Sequence, residues 1–190
     1  FSGSILIKID EDVQNLALRS FVAALSVFDA VEKKIGEEHE LLIKWPNDLL
    51  LNGKKICGIL LETRNFGTVS ALVIGIGVNL LSSPNLDQIK NSTIKPGSIL
   101  GETGIKLDPI DFSELIAHHY ALRENQLRTM GFSKIREIWM DRAAKLGKKI
   151  TARTPNFEYQ GIFDSVDEKG QLIIINNGEK KKIAAAEIFF

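Results

Sequence analysis

The sequence has a single cysteine, Cys57, and no excess of charge of either sign. One cysteine excludes an intrachain disulfide and favours a reducing compartment. Because 24 lysines and arginines balance 24 aspartates and glutamates, the chain lacks the basic character of a nucleic-acid-binding protein. No nucleic-acid partner is therefore predicted for this chain.

Long apolar runs and targeting signals are also lacking. No uninterrupted apolar segment reaches the roughly 20 residues of a membrane-spanning helix. Residues 1–10 have neither the basic start nor the cleavage site of a signal peptide. These absences predict a cytoplasmic protein without a membrane partner. Because the sequence begins Phe-Ser-Gly without methionine and enters a strand almost at once, we expect a chain cut from something longer.

The rest of the composition is that of an ordinary globular protein, with 190 residues of which 44% are hydrophobic. This length suffices for one full domain and a small one. Apolar residues at helical spacing, after the capping carboxylates Asp10 and Asp12 and before a stop at Gly36, predict one long helix. Further helices are predicted at 98–102, 111–130 and 132–146, and strands at 4–9, 41–45 and 69–78. The last of these strands is almost continuously apolar, which is typical of an interior strand covered on both faces.

After Gly147 the sequence changes from helical spacing of apolar residues to short apolar segments separated by turn residues. Four short strand candidates, separated by turn residues, predict a small β-barrel. Roughly 45 residues bury too little surface to be secure alone, so we expect this barrel to pack against the larger domain. The strand candidates are residues 149–153, 159–166, 171–175 and 180–184.

The most informative segment is residues 44–62, Lys-Trp-Pro-Asn-Asp-Leu-Leu-Leu-Asn-Gly-Lys-Lys-Ile-Cys-Gly-Ile-Leu-Leu-Glu. Asn52-Gly53 between two apolar runs predicts a β-hairpin, because both central residues of a type I′ turn need a positive φ. Gly58 interrupts the apolar run of the second strand, and glycine at such a position is typical of close approach by a ligand or another backbone. A β-bulge is the alternative explanation for Gly58.

This segment resembles the central motif of the biotin protein ligases, with Lys-Trp-Pro-Asn-Asp at 44–48, a short hairpin, Lys55, and Gly-Ile-Leu-Leu-Glu at 58–62. Gly-Ile-Gly-Val-Asn at 75–79 is similar to a strand end of the same family. The C-terminal strands resemble its small SH3-like domain, so the resemblance covers nearly the whole chain. It implies an α+β fold. A mixed sheet would pack against helices in residues 1–146, and an SH3-like β-barrel would occupy residues 147–190.

The resemblance further implies an ATP-dependent ligase that attaches biotin to a lysine of a biotin carboxyl carrier domain through a biotinyl-adenylate. Biotin and ATP would be the substrates, with Mg²⁺ bound through ATP or by Asp48. No protein cluster of metal ligands is predicted, because His118 and His119 are adjacent and no cysteine or carboxylate joins them at ligand spacing. The sequence leaves a homodimer open.

Lys55 is the first candidate catalytic residue. The carboxylate of biotin and the α-phosphate of ATP are both anions, so a fixed cation between them relieves repulsion and stabilises charge that develops on the phosphate. The resemblance places the lysine that contacts biotin and phosphate at this position. From the residues alone, an exposed hairpin lysine is the alternative.

The remaining candidate site residues come from the same motifs. Asp48 would hold or deprotonate the acceptor lysine, or bind Mg²⁺, although Asn47 and Asp48 are also typical turn residues. The resemblance implies that Gly58 and Ile59 line the biotin pocket. A solvated strand-end asparagine is the alternative for Asn79. The residues implied in ATP binding are Asn47, Lys55, Asn79 and Glu187.

Two features of the sequence depart from the family pattern. The Gly-Arg-Gly-Arg type loop that holds biotin and the adenylate does not occur in these residues, and Ala186 stands before Glu187 where the family has glycine. The activity of this chain alone is therefore open. Two alternative functions also stay open: a lipoate ligase or transferase on the same fold, and a truncated, non-catalytic module that binds a ligand or partner.

Overall fold

The computed structural model describes residues 1–9, 13–85 and 94–190. The predicted capping residues Asp10 and Asp12 lie outside this range, as do residues 86–93. The described chain forms two five-stranded sheets and five helices, which confirms the α+β class. The helices are α1 (Val13–Leu16), α2 (Arg19–Ile35), α3 (Ile99–Thr103), α4 (Pro109–Met130) and α5 (Phe132–Asp141).

The first sheet has the strand order β1-β5-β4-β3-β2. Every strand pair in the described part of the chain is antiparallel, whereas the sequence predicted a mixed sheet. Single parallel bridges join Ile43 to Ala143 and Lys55 to Pro96. The strands of this sheet are β1 (Ser2–Lys8), β2 (Leu41–Lys44), β3 (Asp48–Leu51), β4 (Lys54–Phe66) and β5 (Val69–Val78).

The helix α2 packs against the inner face of this sheet, and α4 packs against α2. Alternate residues of β5, such as Ile74 and Ile76, are buried on the inner face. The outer face of β5 carries Val73, Gly75 and Gly77, which are only partly covered or exposed. The strand lies between β1 and β4, inside the sheet as predicted, but the predicted coverage of both faces is wrong. This open outer face is where a ligand can reach the backbone.

The long N-terminal helix of the prediction is two helices. The N–H groups of Leu18, Ser20 and Phe21 bond to the third preceding carbonyl rather than the fourth, which tightens the chain between α1 and α2. The helix α2 then ends at Gly36, whose φ of 79° is favourable for glycine, as the sequence predicted.

The helix α5 ends earlier than predicted because the following residues join the first sheet. The N–H of Ile43 donates to the carbonyl of Arg142, and the N–H of Ala144 donates to the carbonyl of Ile43, both at 2.8 Å. Backbone groups that would extend the helix therefore cover the edge of β2 instead. Edge strands are commonly protected in this way.

The C-terminal sheet is the predicted small barrel, with the strand order β10-β6-β7-β8-β9. It shares one hydrophobic core with the larger domain. The indole ring of Trp139 lies 5.2 Å from the ring of Phe21 and 6.5 Å from the ring of Phe163, measured between centroids. The sequence missed only the last strand. The strands are β6 (Lys149–Arg153), β7 (Glu158–Val166), β8 (Leu172–Asn176), β9 (Glu179–Ile183) and β10 (Glu187–Phe189).

Candidate active site

The hairpin at Asn52-Gly53 has the predicted geometry, with φ values of 50° and 76° at its two central residues. These values allow the tight connection between β3 and β4. The strand β4 also contains a bulge, because Leu49 pairs with Cys57 while Leu50 pairs with Lys55. Residues three apart normally face opposite sides of a strand, and the bulge brings Lys55 to the same side as Gly58.

The connection between β2 and β3 is held by two hydrogen bonds from side chains. The indole N–H of Trp45 donates to the carbonyl of Gly170 in the barrel at 3.1 Å. The amide of Asn47 donates to the carbonyl of Ile59 in β4 at 3.0 Å. Both bonds fix the backbone immediately before Asp48, which begins β3.

The carboxylate of Asp48 lies between two lysines. Its Oδ1 is 2.6 Å from Nζ of Lys55, and its Oδ2 is 3.9 Å from Nζ of Lys44. The Lys55 side chain is 40% exposed, whereas that of Lys44 is 12% exposed. The contact between Asp48 and Lys55 is a close ion pair, and the one between Asp48 and Lys44 is a longer one. The two lysines therefore present one accessible ammonium group, that of Lys55, beside the less exposed ammonium group of Lys44.

Gly58 and Gly77 lie side by side on β4 and β5 next to this pair. A Cβ added at Gly77 would have no neighbour closer than 3.9 Å, and one added at Gly58 would meet Lys55 and Asp48 at ordinary contact distances of 3.5–3.7 Å. Neither glycine has a left-handed φ. Neither packing nor backbone conformation requires glycine here, so the two residues leave bare backbone that a flat ligand can cover.

These residues surround a pocket of about 610 Å³. This volume is typical of a small-molecule site. One wall is formed by the chain at Ile94 and Pro96, and the barrel forms another through Ala186, Glu187 and Ile188. Both domains therefore contribute to one pocket.

The wall at residues 95–97 is bonded directly to the hairpin. The N–H of Lys55 donates to the carbonyl of Lys95, and the N–H of Gly97 donates to the carbonyl of Lys55, both at 2.9 Å. The side-chain amide of Asn79 donates to the carbonyl of Gly97, also at 2.9 Å. The backbone that carries Lys55 is therefore fixed on both sides.

The charges around the pocket act on Lys44 most clearly. Burial lowers the pKa of the Lys44 ammonium, and the neighbouring charge of Lys55 lowers it further, while the carboxylates of Asp48 and Glu187 oppose this effect. Cys57 also lines the pocket. Burial raises the pKa of the Cys57 thiol far above its usual value, and the charge of Asp48 adds to this effect. Cys57 is therefore a protonated, buried side chain rather than a nucleophile.

The structure brings most of the predicted site residues to this pocket. Asp48, Lys55, Gly58, Asn79 and Glu187 line it. The other two predicted residues are placed differently. Asn47 uses its amide on the backbone of β4, and the side chain of Ile59 packs against the core.

Lys44 and Gly77 are among the pocket-lining residues that sequence reasoning did not assign to the site. Gly77 stood within the quoted motif at residues 75–79, and its position opposite Gly58 is apparent only from the strand register. Lys44 ends an apolar strand, which is a weak signal of an interior charge. Within residues 1–9, 13–85 and 94–190, no group of three or more histidines, cysteines or carboxylates could hold a metal. Over the same residues, no helix is long and apolar enough to span a membrane.

Two family models match the chain. Residues 2–79 match the biotin/lipoate A/B protein ligase family, and residues 145–190 match the biotin protein ligase C terminal domain. Over its whole length the chain is 43% identical to the biotin–[acetyl-CoA-carboxylase] ligase of Paracoccus denitrificans, of which it covers 80%. It is 32% identical to the bifunctional ligase/repressor BirA of Bacillus subtilis, with 97% of the chain aligned, and it spans 56% of that protein.

Solved structures share the fold. The apo biotin protein ligase of Aquifex aeolicus matches with a TM-score of 0.83 at 20% identity, covering 99% of this chain and 82% of that one. The same enzyme in complex with biotin and ATP matches with a TM-score of 0.78 at 20% identity, covering 99% and 77%. At this level of identity, the likeness shows the fold alone.

Proposed function

The chain belongs to the biotin protein ligase family, and we propose that its pocket joins biotin to a lysine of a carrier protein in two steps. The observation that carries this proposal is the Lys55–Asp48 pair, 2.6 Å apart, beside the bare backbone of Gly58 and Gly77. A fixed ammonium suits an anionic ligand end, and bare backbone suits a flat ring. Biotin has both an anionic carboxylate end and a flat ring.

In the first step, a carboxylate oxygen of biotin attacks the α-phosphorus of ATP. A new C–O–P linkage forms, the bond between the α-phosphorus and the bridging oxygen breaks, and pyrophosphate leaves. Lys55 would contact both the carboxylate and the α-phosphate, because its ammonium is accessible from the pocket. By analogy with the loss of an oxyanion donor, this contact is worth about 3–4 kcal/mol in the transition state.

In the second step, the amine of the acceptor lysine attacks the carbonyl carbon of biotinyl-adenylate. An amide forms, AMP leaves with the bridging oxygen, and the amine loses a proton. Asp48 lies at the edge of the pocket with its carboxylate 19% exposed. We assign it the role of holding the incoming amine and receiving its proton, a kind of assistance worth about 10²–10⁴-fold.

The nucleotide would lie toward Asn79 and the barrel, where Glu187 lines the pocket. Mg²⁺ commonly binds through substrate phosphates and one or two carboxylates. Asp48 and Glu187 both line the pocket, and we propose that one of these carboxylates would hold Mg²⁺ together with the ATP phosphates, where the ion would offset phosphate charge. Asn47 and Ile59 would act by holding the hairpin backbone rather than by touching the ligand.

Because the Paracoccus relative is named for acetyl-CoA carboxylase, we propose that the acceptor is the carrier domain of a biotin-dependent carboxylase, and that the reaction takes place in the cytoplasm.

We place the domain boundary between residues 146 and 147, where Gly147 has a φ of 71°. The exposed side chains of Leu6, Leu60 and Phe66 on the outer sheet face favour pairing with a second copy, which sedimentation analysis would test.

The direct test is the mass of a biotin carrier domain after incubation with the purified protein, Mg-ATP, and equal amounts of biotin and lipoate. A biotin-sized increment is expected, since the chain is similar over its whole length to a biotin ligase. A lipoyl-sized increment would move the protein to the lipoate branch. Biotin binding without any ATP-dependent product would instead support a non-catalytic binding module.

A further inference from the structure

Lys44 occupies a position that does not require a lysine. It ends β2 opposite Asp48, where the alternation of the strand would equally accept an apolar side chain of similar length. Its side chain is 12% exposed and lines the pocket. Placing an ammonium group out of water is costly unless a counter-charge compensates. A function involving its charge explains why a lysine stands there.

Positive and negative side chains from β3, β4 and β10 surround Lys44. Asp48 of β3 lies between Lys44 and Lys55, and Glu187 of β10 faces Lys44 from the barrel. In the structure, Asp48 makes its shorter contact with Lys55 at 2.6 Å and its longer one with Lys44 at 3.9 Å. The carboxylate therefore has two cations available, one exposed and one largely buried.

We propose that Lys44 is a positioning residue, which keeps the carboxylate of Asp48 in place when Lys55 turns to the ligand. This inference rests on the proposed function. An anionic carboxylate or phosphate arriving at Lys55 competes with Asp48 for the same ammonium, and like charges then face each other. Lys44 gives Asp48 a second counter-charge, and its side chain is less exposed to an incoming ligand than that of Lys55. Asp48 thus stays aligned for the acceptor amine in the second step.

The test is a double-mutant cycle measured on the transfer step. Biotinyl-adenylate is supplied preformed, and single-turnover transfer to a carrier domain is followed for wild type, Lys44→Met, Asp48→Asn and the double variant. Methionine keeps the length of the side chain without its charge. We expect Lys44→Met alone to slow transfer by roughly 10- to 100-fold, the range found when outer partners of metal ligands are lost. In the Asp48→Asn background, the same change should slow transfer by less than about threefold, because a residue that acts through another is not additive with it.

Two further variants separate charge from shape. Lys44→Arg should retain most of the transfer rate, since it keeps the cation. Lys54→Met is the matched control, because Lys54 lies on the same hairpin and pairs with Glu102 at 2.7 Å instead of Asp48; it should transfer at the wild-type rate.

The outcomes distinguish the inference from the function it rests on. Equal losses from Lys44→Met in both backgrounds, or a wild-type rate in Lys44→Met, would overturn the positioning role while leaving the ligase function intact. A loss in Lys44→Arg as large as that in Lys44→Met would show that shape matters and not charge, and would also overturn it. A wild-type protein that neither forms nor uses biotinyl-adenylate would contradict the proposed function, and the inference with it.

Discussion

Replacing Gly77 by alanine should weaken biotin binding without harming the fold. The added methyl group would have only the carbonyl oxygen of Gly58 nearby, at 3.9 Å, so the protein itself has room for it. A biotin ring that lies directly on the bare backbone leaves no room for this methyl group. Inserting a methyl group into a filled contact costs about 1–3 kcal/mol, which corresponds to roughly 5- to 150-fold weaker binding.

The stability of the same variant should change in the opposite direction. The backbone of Gly77 is not left-handed, and replacing such a glycine by alanine lowers the entropy of the unfolded chain. The expected gain is about 0.4–1 kcal/mol, or a rise in Tm of about 1–4 °C for a chain of this size. A variant that binds biotin poorly while melting higher would separate a ligand contact from a folding defect.

Gly75→Ala provides the matched control. Gly75 lies on the same strand and the same outer face, one row away from the pocket, and an added Cβ would meet the carbonyl oxygen of Leu60 at 3.6 Å. Calorimetric titration with biotin should therefore give wild-type affinity for this variant. Unchanged biotin affinity in Gly77→Ala, or an equal loss in Gly75→Ala, would refute the assignment of the glycine pair as the floor of the biotin site.

Three further changes test the architecture around the site. Trp45→Phe removes the indole N–H that Gly170 accepts, so the free energy of unfolding in urea should fall by about 1–3 kcal/mol; no change would show that this bond between the domains is dispensable. Gly53→Ala forces alanine into a φ of 76° and should cost about 1 kcal/mol, seen as a Tm lower by about 2–4 °C; an unchanged melt would contradict the turn geometry. Iodoacetamide at about pH 9 should leave Cys57 of the folded protein unmodified, because burial raises the pKa of its thiol. Since only the unfolded chain then releases this proton, stability should fall as the pH rises above about 8.5; rapid labelling of the native protein would contradict the burial.

The hairpin could be predicted from sequence because its cause is local. Asn52 and Gly53 specify the turn by their own conformational preferences, and both adopt the positive φ that the turn needs. The resemblance of the surrounding motif to a known family then predicted Lys55, Asp48 and Gly58 as site residues. The structure places all three at one pocket.

The features that sequence did not reveal depend on distant residues. The bulge that turns Lys55 toward Gly58 depends on the register between β3 and β4. The bond from Trp45 to Gly170 joins residues 125 positions apart, and no periodicity in either segment indicates it. The early end of α5 has the same origin, since the carbonyl of Arg142 and the N–H of Ala144, just after the helix, bond to Ile43 of β2.

The role of Lys55 in adenylate formation is tested most directly by single-turnover formation of biotinyl-adenylate by wild type, Lys55→Ala and Lys54→Ala. The two lysines are neighbours on β4 with similar exposure, 40% for Lys55 and 44% for Lys54, but only Lys55 contacts Asp48 and lines the pocket. We expect Lys55→Ala to form the adenylate about 10²- to 10³-fold more slowly, with an unchanged melting temperature, and Lys54→Ala to match the wild type. Adenylate formation at the wild-type rate in Lys55→Ala would contradict the role of Lys55 in the first step.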